Sequence, residues 1–552
     1  MRCACNSRWT NRVSTVSYPN GQATSYSYFD NAGDHRLQQI HHRVLAGATL
    51  AKFDYTYDAV GNIKSWSQQR GASPATVLSL GYDVADQLVT ASQVPAGTSP
   101  TRFAYAYDPS GNRTAEQLDD AVTGAVYNSR NQIISQQPGG ALLFRGTVNE
   151  PAAIAIAGQS AQVRADNSFA GSVSVVSGTS TVEVVAKDSS GNTRTNTYQV
   201  TQTGSSKSLT YDATGNATSD GTRGFDWDAE DRLVTVKQGS TTIASFAYDA
   251  LGRRVQKVAG GVTHTYIYDG AQAIEERLSG ASAGTIRYFH GRGIDDWLGR
   301  QNADGSATYF AADHLSSVVD ETNSSGQVTL ARTYDSWGNI DPVSATTSGP
   351  AFTGREWDSE TALHYYRARY YDNRLGRFLS EDPLKLRAGI NEYEYVRNNP
   401  IAQSDPSGLC PCPDCPVGMW VGGAGLAEAG IVIFGKLSLG GLVFAGELIC
   451  TSNPRARKLF VSVCGYGNLQ TKKIIGAAGV GGAAMLCEGY YCSSELATPP
   501  GGQEQEGFGQ IGPVFAFAPD EPFNGQGRCF GAGGGEDAGL GVGTLQCRTW
   551  ID

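Results

Sequence analysis

One short phrase, an aromatic residue and aspartate followed by glycine and asparagine, recurs along this chain and constrains its fold most. Its occurrences are Tyr57-Asp58 with Gly61-Asn62, Tyr107-Asp108 with Gly111-Asn112, Tyr211-Asp212 with Gly215-Asn216, Tyr248-Asp249 with Gly252-Arg253, Tyr268-Asp269 with Gly270, and Tyr334-Asp335 with Gly338-Asn339. Asp58, Asp83 and Asp108 are 25 residues apart, and Asp228, Asp249 and Asp269 are about 20 apart. Such a period predicts stacked supersecondary units.

Each occurrence of the phrase predicts a β-hairpin. Aromatic residues at i and i+2, such as Tyr55 and Tyr57, place both rings on one face of a strand. The aspartate caps a turn, and Gly61-Asn62 supplies backbone that tolerates positive φ. A single hairpin cannot bury its own face, so neighbours must pack in series. With 68 Gly, 26 Tyr and only 3 Met, the chain is predicted to be mostly β.

The phrases resemble the YD repeats of the RHS and teneurin-like proteins, over roughly residues 18–142 and 205–409. This resemblance implies a long strip of β-hairpins that spirals into a hollow shell, with repeats over residues 1–145 and 205–312. It also implies that the repeated tyrosines and aspartates are scaffold rather than catalytic groups.

Residues 146–204 interrupt the repeats, because no tyrosine-aspartate phrase occurs there. Alternating short strands with turn signals every eight to twelve residues or so predict a small β-sandwich. Residues 184–192 resemble a strand and turn of bacterial Ig-like modules. We therefore expect an inserted Ig-like β-sandwich, a type of insert that acts as a spacer or an adhesive decoration.

Residues 313–409 resemble the RHS repeat-associated core. The matching runs are Asp313-His314-Leu315-Ser316-Ser317, residues 365–372, 376–383 and 391–400, and Asp405-Pro406-Ser407-Gly408-Leu409. Ser316 stands where the family usually has glycine. His314 has two interpretations, a catalytic group or a turn residue that hydrogen-bonds backbone, and we favour the second.

The candidate catalytic residues of this core are the aspartates of two Asp-Pro pairs, Asp382 and Asp405. Two carboxylates that converge on one site cannot both ionise cheaply, so one holds a proton at neutral pH. The ionised partner can activate water while the protonated one donates to the carbonyl or the leaving amide, as in an aspartic protease. Such a pair titrates as a unit, so the sequence assigns neither role to either residue. The alternative is that both pairs merely initiate turns.

In RHS proteins the corresponding aspartates cleave the chain after the leucine of an Asp-Pro-x-Gly-Leu motif. The resemblance therefore implies that Asp382 and Asp405 are catalytic and that the cleaved bond joins Leu409 to Cys410. Arg369 matches the family's basic residue, which implies that it polarises the scissile carbonyl or holds one carboxylate ionised. We expect a single-turnover aspartyl autoprotease, favoured by the high effective molarity within one chain, with no cofactor and no metal.

Residues 410–552 are predicted to be a variable, Gly- and Cys-rich C-terminal segment, partly disordered in its Gly- and Pro-rich tail after Thr498. All seven histidines lie at or before His364, which excludes histidine-based nuclease chemistry in this segment. Its 8 Lys and Arg against 12 Asp and Glu oppose nucleic-acid binding. The apolar stretches 417–449 and 474–487 are too interrupted or too short to be membrane spans, which disfavours a membrane-inserting toxin.

Nine of the 11 cysteines lie in this C-terminal segment. Their density predicts disulfides and an oxidising destination, with a Cys-x-Cys-x-x-Cys metal clip as the alternative. Pro411-Cys412 with Cys415 imitates half of a zinc deaminase motif, but no His-x-Glu precedes it in the segment, so that enzyme is not favoured.

Two functional hypotheses follow. In the first, a secreted or surface-displayed bacterial RHS-type protein encloses its C-terminal segment as cargo and releases it by self-cleavage as a toxin in competition between cells. This hypothesis implies an immunity protein and a secretion machinery as partners. In the second, a structural or adhesive cell-surface protein binds carbohydrate or partner cells. A turnover enzyme ranks third, because no cofactor loop, metal cluster or nucleophile–base pair stands out in the repeats.

Charge and the N-terminal sequence bear on partners and localisation. A net charge of −10 gives no electrostatic footprint for nucleic acid or anionic lipid. Polar sequence follows Met1, so no secretory signal is visible. We therefore expect export signals to lie upstream in a longer protein.

Overall fold

The computed structural model describes residues 5–8, 12–30, 33–95, 97, 99–280, 282–291 and 293–409, and eight strands between residues 418 and 551. The chain divides into two units, Met1–Cys410 and Pro411–Asp552. Strands make up most of the described secondary structure of both, so the predicted mostly β fold is confirmed. Short 3-10 segments occur at Leu45–Gly47, Phe352–Gly354, Lys385–Arg387 and Val396–Asn398. Among the described residues, no helix has the length and apolar character needed to cross a membrane.

The first sheet of the N-terminal unit contains thirteen strands, β1 to β12 in sequence order followed by β20. They are β1 (Cys5–Arg8), β2 (Arg12–Ser17), β3 (Ala23–Tyr28), β4 (Leu37–Arg43), β5 (Thr49–Tyr57), β6 (Ile63–Arg70), β7 (Thr76–Tyr82), β8 (Leu88–Val94), β9 (Thr101–Tyr107), β10 (Arg113–Leu118), β11 (Ala121–Tyr127), β12 (Ile133–Pro138) and β20 (Lys207–Ser208). Each strand from β1 to β12 pairs with its sequence neighbours, as serial hairpins require.

The repeated turn forms because one aspartate holds several backbone amides at once. Asp58 Oδ1 accepts hydrogen bonds from the N–H groups of Val60, Gly61 and Asn62, at 2.8–3.1 Å. The N–H of Asp58 in turn donates to the carbonyl oxygen of Asn62 at 2.9 Å. Gly61 has a φ of 105°, a conformation that L side chains rarely adopt. The predicted Asp-capped turn is therefore present.

In seven hairpins, the tyrosine that precedes the turn ties its strand to the preceding hairpin. Its hydroxyl donates to the backbone carbonyl of a residue at or next to the start of an earlier strand. These bonds join Tyr57 to Leu37, Tyr82 to Ile63, Tyr107 to Leu88, Tyr127 to Arg113, Tyr248 to Leu233, Tyr268 to Arg254 and Tyr334 to Val318, at 2.6–2.9 Å. The phrase thus encodes both the turn and the stacking of one hairpin on the next.

Removal of a single hydroxyl of this series is expected to destabilise the sheet measurably. In Tyr107→Phe, the carbonyl of Leu88 loses its 2.7 Å partner. We expect the free energy of unfolding to fall by about 1 kcal/mol, the usual net value of such a bond. Denaturant titration of the full chain measures this change. Tyr198→Phe is the control because Tyr198 is 44% exposed on the inserted segment, and an equal loss in both variants would contradict the prediction.

The interruption between the repeats consists of two sheets. They contain β13 (Gly140–Thr147), β16 (Gln162–Val163) and β17 (Ser168–Val175) in one, and β14 (Ala152–Ile156), β15 (Gln159–Ser160), β18 (Gly178–Asp188) and β19 (Thr193–Gln202) in the other. Leu142 and Val175 of the first sheet share a core with Ile154, Ile156 and Val182 of the second. The first strand begins at Gly140, ahead of the expected boundary at residue 146. An Ig-like identity for this insert stays a prediction.

The second large sheet also has thirteen strands in sequence order, β21 to β33. They are β21 (Thr210–Tyr211), β22 (Ala217–Ser219), β23 (Arg223–Trp227), β24 (Leu233–Gln238), β25 (Thr241–Tyr248), β26 (Arg254–Ala259), β27 (Val262–Asp269), β28 (Gln272–Gly280), β29 (Gly284–His290), β30 (Trp297–Gln301), β31 (Ala307–Ala312), β32 (Val318–Thr322) and β33 (Val328–Ala331). Its repeats thus continue the serial hairpin pattern of the first sheet.

A five-stranded sheet follows and packs against both large sheets. Its strands are β34 (Gly349–Pro350), β35 (Glu356–Asp358), β36 (Leu363–Tyr366), β37 (Arg369–Asp372) and β38 (Arg377–Phe378). Tyr366 and Tyr371 belong to a core formed mainly with the first sheet, whereas Tyr365 and Tyr370 belong to one formed mainly with the second. Alternation of side chains along a strand explains this division. The sheet is therefore buried on both faces, and it positions the site described below.

The C-terminal unit contains eight described strands. They are β39 (Gly418–Leu426), β40 (Gly441–Ile449), β41 (Arg457–Gly467), β42 (Ala483–Gly489), β43 (Gly507–Ile511), β44 (Val514–Ala516), β45 (Gly527–Ala532) and β46 (Gly543–Ile551). All pairings between them are antiparallel, and their register sets Cys464 opposite Cys547 and Cys487 opposite Cys529. The predicted disulfides stay a prediction. Cys410, Cys412 and Cys415 lie outside the described residues, and so does most of the predicted disordered tail.

Candidate functional site

Three buried charged side chains converge at the end of the N-terminal unit. Arg369 opens β37, Asp382 lies in the turn after β38, and Asp405 lies in the final loop before Leu409. Their exposed fractions are 2%, 1% and 0%. The structure thus brings together the arginine and both aspartates that the sequence singled out.

The guanidinium of Arg369 lies between the two carboxylates. Its Nη2 atom is 2.7 Å from Asp382 Oδ2 and 3.3 Å from Asp405 Oδ2. Its Nη1 atom donates to the carbonyl oxygen of Glu392 at 2.9 Å. Phe378 covers the group, with its ring centroid 3.6 Å from Cζ. Such a fully paired and covered guanidinium can remain charged inside a dry site.

The two aspartates are oriented by different hydrogen bonds. Asp405 Oδ1 accepts the N–H of Leu409 and the hydroxyl of Ser407, both at 3.1 Å. Asp382 Oδ1 accepts the N–H of Leu384 at 2.8 Å, and the Asp382 N–H donates to Glu392. Asp382 does begin a turn, as the alternative interpretation of the Asp-Pro pairs as turn initiators requires. Asp405, however, directly holds the residue next to the predicted cleavage point.

Gly408 allows the chain end to approach the site closely. Its φ is +70°, and a Cβ atom there would overlap the carbonyl oxygen of Tyr366 and lie 3.0 Å from the backbone nitrogen of Arg369. The Gly408 carbonyl accepts a hydrogen bond from Arg369 Nε. Only glycine combines this backbone conformation with this space. Arg369 therefore contacts the carbonyl of Gly408, one residue before the predicted cleavage point, and both of its predicted roles stay predictions.

Burial governs the protonation of Asp405. It raises the pKa of Asp405 above the usual range, and the nearby Asp382 raises it further. Arg369 and the hydrogen bonds from Ser407 and Leu409 act in the opposite direction without cancelling the effect. This pKa shift favours the protonated form of Asp405 relative to an ordinary surface aspartate.

The teneurin YD-shell family model matches residues 188–401. The match covers the second large sheet and most of the segment that builds the site. Over these residues the chain is similar to the teneurin YD-shell proteins. The residues of the repeated sequence phrases form the Asp-capped turns and the tyrosine hydrogen bonds described above.

Curated relatives of this chain include bacterial toxins and nucleases. A tRNA3(Ser)-specific nuclease WapA of Bacillus spizizenii is 33% identical over 212 residues, 37% of this chain and 9% of the relative. A double-stranded DNA deaminase toxin A of Burkholderia cenocepacia is 29% identical over 221 residues, 34% of this chain and 15% of the relative. The matches thus span only a small part of each relative's length.

Among solved structures, the protein is similar to one described as the crystal structure of TcdB2-TccC3-Cdc42. The sequence identity is 19% and the TM-score is 0.36, over 74% of this chain and 21% of the other.

Two residues of the site carried no prediction from the sequence. Ser407 donates to Asp405, and its hydroxyl is also 3.4 Å from the carbonyl oxygen of Leu409. Arg367 donates to the carbonyl of Pro406 and pairs with Asp295 at 2.6 Å. Ser407 could have been found as the polar variable residue of the Asp-Pro-x-Gly-Leu motif. The Arg367 contact joins distant segments, so no local pattern signals it.

His314 lies in a different environment. Its Nε2 atom is 2.7 Å from the carbonyl oxygen of Ile401. Its ring packs against Tyr55 and Trp66, with centroid distances of 4.7 and 4.9 Å. These contacts agree with the backbone-bonding interpretation. Ser316 in the same turn has a φ of 67°, consistent with the glycine usual at this position. Within the described residues, no group of three or more His, Cys, Asp or Glu side chains could hold a metal ion.

Proposed function

We propose that this protein is an RHS-type shell that cleaves its own chain after Leu409 and releases residues 410–552 as a toxin. One observation carries the proposal: two buried carboxylates share one guanidinium, and one of them holds the N–H of Leu409. Asp-Pro turns alone require neither the shared arginine nor the contact with Leu409. An aspartyl self-cleavage site requires both the pair and the nearby peptide.

The reaction is hydrolysis of the bond between Leu409 and Cys410. Asp382, the carboxylate closer to Arg369, takes a proton from water, and the oxygen of that water attacks the Leu409 carbonyl carbon. Asp405, whose pKa is raised by burial, donates its proton to the nitrogen of Cys410 as the C–N bond breaks. The products are a new carboxyl group on Leu409 and a new amino group on Cys410. Asp382 gains one proton and Asp405 loses one, so the pair holds one proton after the reaction as it did before.

The remaining contacts position the substrate peptide. Arg369 holds the Gly408 carbonyl and both carboxylates, so it fixes the peptide relative to the reacting groups. The Ser407 hydroxyl, 3.4 Å from the Leu409 carbonyl oxygen, is the described side chain placed to stabilise negative charge there. Because peptide and catalytic groups share one chain, a single turnover needs no separate binding step.

Gly408→Ala is expected to slow cleavage at least about 100-fold, because a methyl group there displaces the peptide and small misplacements of reacting groups are costly. The fraction of intact chain over time after cell-free synthesis measures the rate. Gly305→Ala is the matched control, since Gly305 has a similar φ of +83° and no atom within 4 Å of its Cβ position. Equal rates in the two variants would contradict the positioning role of Gly408.

The relatives support a toxin as cargo, because their names include a tRNA nuclease and a DNA deaminase toxin. The bacterial toxins among them also support export from a bacterial cell. We propose that this export is by secretion or surface display, and that an immunity protein and a secretion machinery are partners. Residues 410–552 of this chain contain no histidine. Their action therefore uses chemistry other than a histidine base.

Residues 410–552 produced inside bacteria are expected to arrest growth, whereas the full-length Asp405→Asn chain is not. Colony counts after induction measure the effect. A structural or adhesive surface protein that binds carbohydrate or partner cells is the alternative function. It predicts no growth arrest from either chain, with binding of cells or glycans by the uncut protein instead.

A further inference from the structure

A cleft separates the outer face of the first sheet from the insert. Two adjoining cavities of about 480 Å³ each form it, and they share Ala104, Leu143 and Arg145 in their linings. The cleft lies far along the chain from the cleavage motif, and neither the repeats nor the proposed self-cleavage accounts for it.

Three arginines line this cleft, Arg102 and Arg145 in one cavity and Arg145 with Arg164 in the other. In the described part of the chain, none of the three forms an ion pair. Burial, followed by repulsion from Arg164 and Arg102, lowers the pKa of Arg145. The carboxylate of Asp119, also in the lining, accepts the backbone N–H of Arg102 at 2.9 Å. The cleft lining therefore carries three arginines against one carboxylate, which is an excess of positive charge.

The floor of the cleft is low because its side chains are small. Gly81 lies on β7, and Ala104 and Ala106 lie on β9, on the other side of β8 in the first sheet. Tyr105, between the two alanines, belongs to the core on the opposite face, so the alanines point outward. Ala170 of the insert adds another small residue. A flat floor of this kind leaves room for an extended backbone.

One wall of the cleft is an open strand edge. In the described part of the chain, β13 pairs only with β17. On its other side, the side chain of Gln117 accepts the Leu143 N–H at 2.7 Å and donates to the Leu143 carbonyl at 3.4 Å. Groups alternate along an antiparallel strand, so the N–H and C=O of Arg145 and Thr147 point the same way as those of Leu143. Beyond Gln117, this edge is available to another strand.

We propose that the cleft binds an extended acidic peptide of a partner protein, which pairs with β13 at Arg145 and Thr147 while its carboxylates contact the three arginines. Backbone pairing supplies affinity in this mode, and side chains at alternate positions supply specificity. Side chains at every second residue of an extended peptide lie on the same side of the strand. Carboxylates at these positions can therefore all face the arginines. Charge complementarity thus selects an acidic sequence from among extended peptides.

The test measures binding of fluorescent decapeptides to the full-length Asp405→Asn chain. The probes alternate Glu with Val, Thr, Ser or Tyr, and a companion set carries N-methyl groups on alternate amides to block strand pairing while it keeps the charge. We expect saturable binding of at least one Glu peptide. Arg145→Gln and Arg164→Gln should each raise its Kd at least about tenfold. Arg194→Gln, an exposed arginine on the other sheet of the insert, should leave the Kd unchanged.

A second measurement separates strand addition from simple charge attraction. Bound peptide should slow amide hydrogen exchange at Arg145 and Thr147, and the N-methylated peptide should not. The proposal is overturned if no Glu peptide binds, if Arg145→Gln binds equally well, or if N-methylation has no effect. It is also overturned if a uronic-acid oligosaccharide binds the same three arginines and the peptides do not, since the ligand is then a glycan.

Discussion

Asp382→Asn and Asp405→Asn are each expected to leave the chain uncut, with cleavage slowed at least about 10³-fold. Loss of a general acid or base alone costs 10²–10⁴-fold or so, and each of these residues also helps to hold the arginine that fixes the peptide. Asparagine keeps the side-chain shape and the turn hydrogen bonds but cannot exchange the proton. The time course of intact chain after cell-free synthesis, followed by gel electrophoresis, measures the effect.

Asp108→Asn is the matched control for these variants. Asp108 also precedes a proline and also holds turn amides, those of Ser110 and Asn112 at 2.9 Å. If the two Asp-Pro pairs of the site act only as turns, all three substitutions should affect cleavage alike. If Asp382 and Asp405 catalyse the cleavage, Asp108→Asn should be cleaved normally. Efficient cleavage in Asp382→Asn or Asp405→Asn would contradict it.

Asp358→Asn is expected to lower the free energy of unfolding by about 3–5 kcal/mol, the usual cost of breaking a buried charge pair. Asp358 is 1% exposed and lies between two cations of the second sheet. Arg254 Nη1 contacts its Oδ2 atom, and Lys257 Nζ is 2.9 Å from its Oδ1 atom. The substitution leaves both cations buried with less compensation. Denaturant unfolding of the uncut Asp405→Asn chain, with and without Asp358→Asn, measures the loss.

The Asp358→Asn prediction has a control variant and a pH dependence. Asp226→Asn breaks an exposed pair with Lys237 and should cost less than about 1 kcal/mol. Burial opposes ionisation of Asp358, yet Arg254 and Lys257 lower its pKa below the usual range. Its contribution is therefore complete above the unfolded pKa of about 3.9 and is lost as the pH falls through the folded pKa. An equal loss in both variants at pH 7 would contradict the anchoring role of Asp358.

The hairpins and turns were predictable from sequence because their information is local. The aspartate, glycine and asparagine of one phrase, such as Asp58, Gly61 and Asn62, contact one another within a single turn. The convergence of Arg369, Asp382 and Asp405 followed from the family resemblance, since no local pattern brings them together.

Contacts between distant segments were not predictable. Examples are the ion pair of Arg223 with Asp372 and the pair of Arg367 with Asp295, which depend on how the five-stranded sheet packs against the second sheet. The start of the insert was placed at residue 146 rather than at Gly140 because the Pro138-Gly139-Gly140 turn signal can lie within the repeats as readily as at a domain boundary. The contact of Arg369 with the Gly408 carbonyl depends on the φ of Gly408, which the motif alone does not fix.

The intact mass of the purified wild-type chain tests the central claim most directly. Hydrolysis after Leu409 predicts two polypeptides, one that ends in the carboxyl group of Leu409 and one that begins with the amino group of Cys410, whose masses sum to that of the chain plus one water. The Asp405→Asn chain, prepared in parallel, should give one mass. A single uncut wild-type chain, or cleavage at any other bond, would contradict the claim.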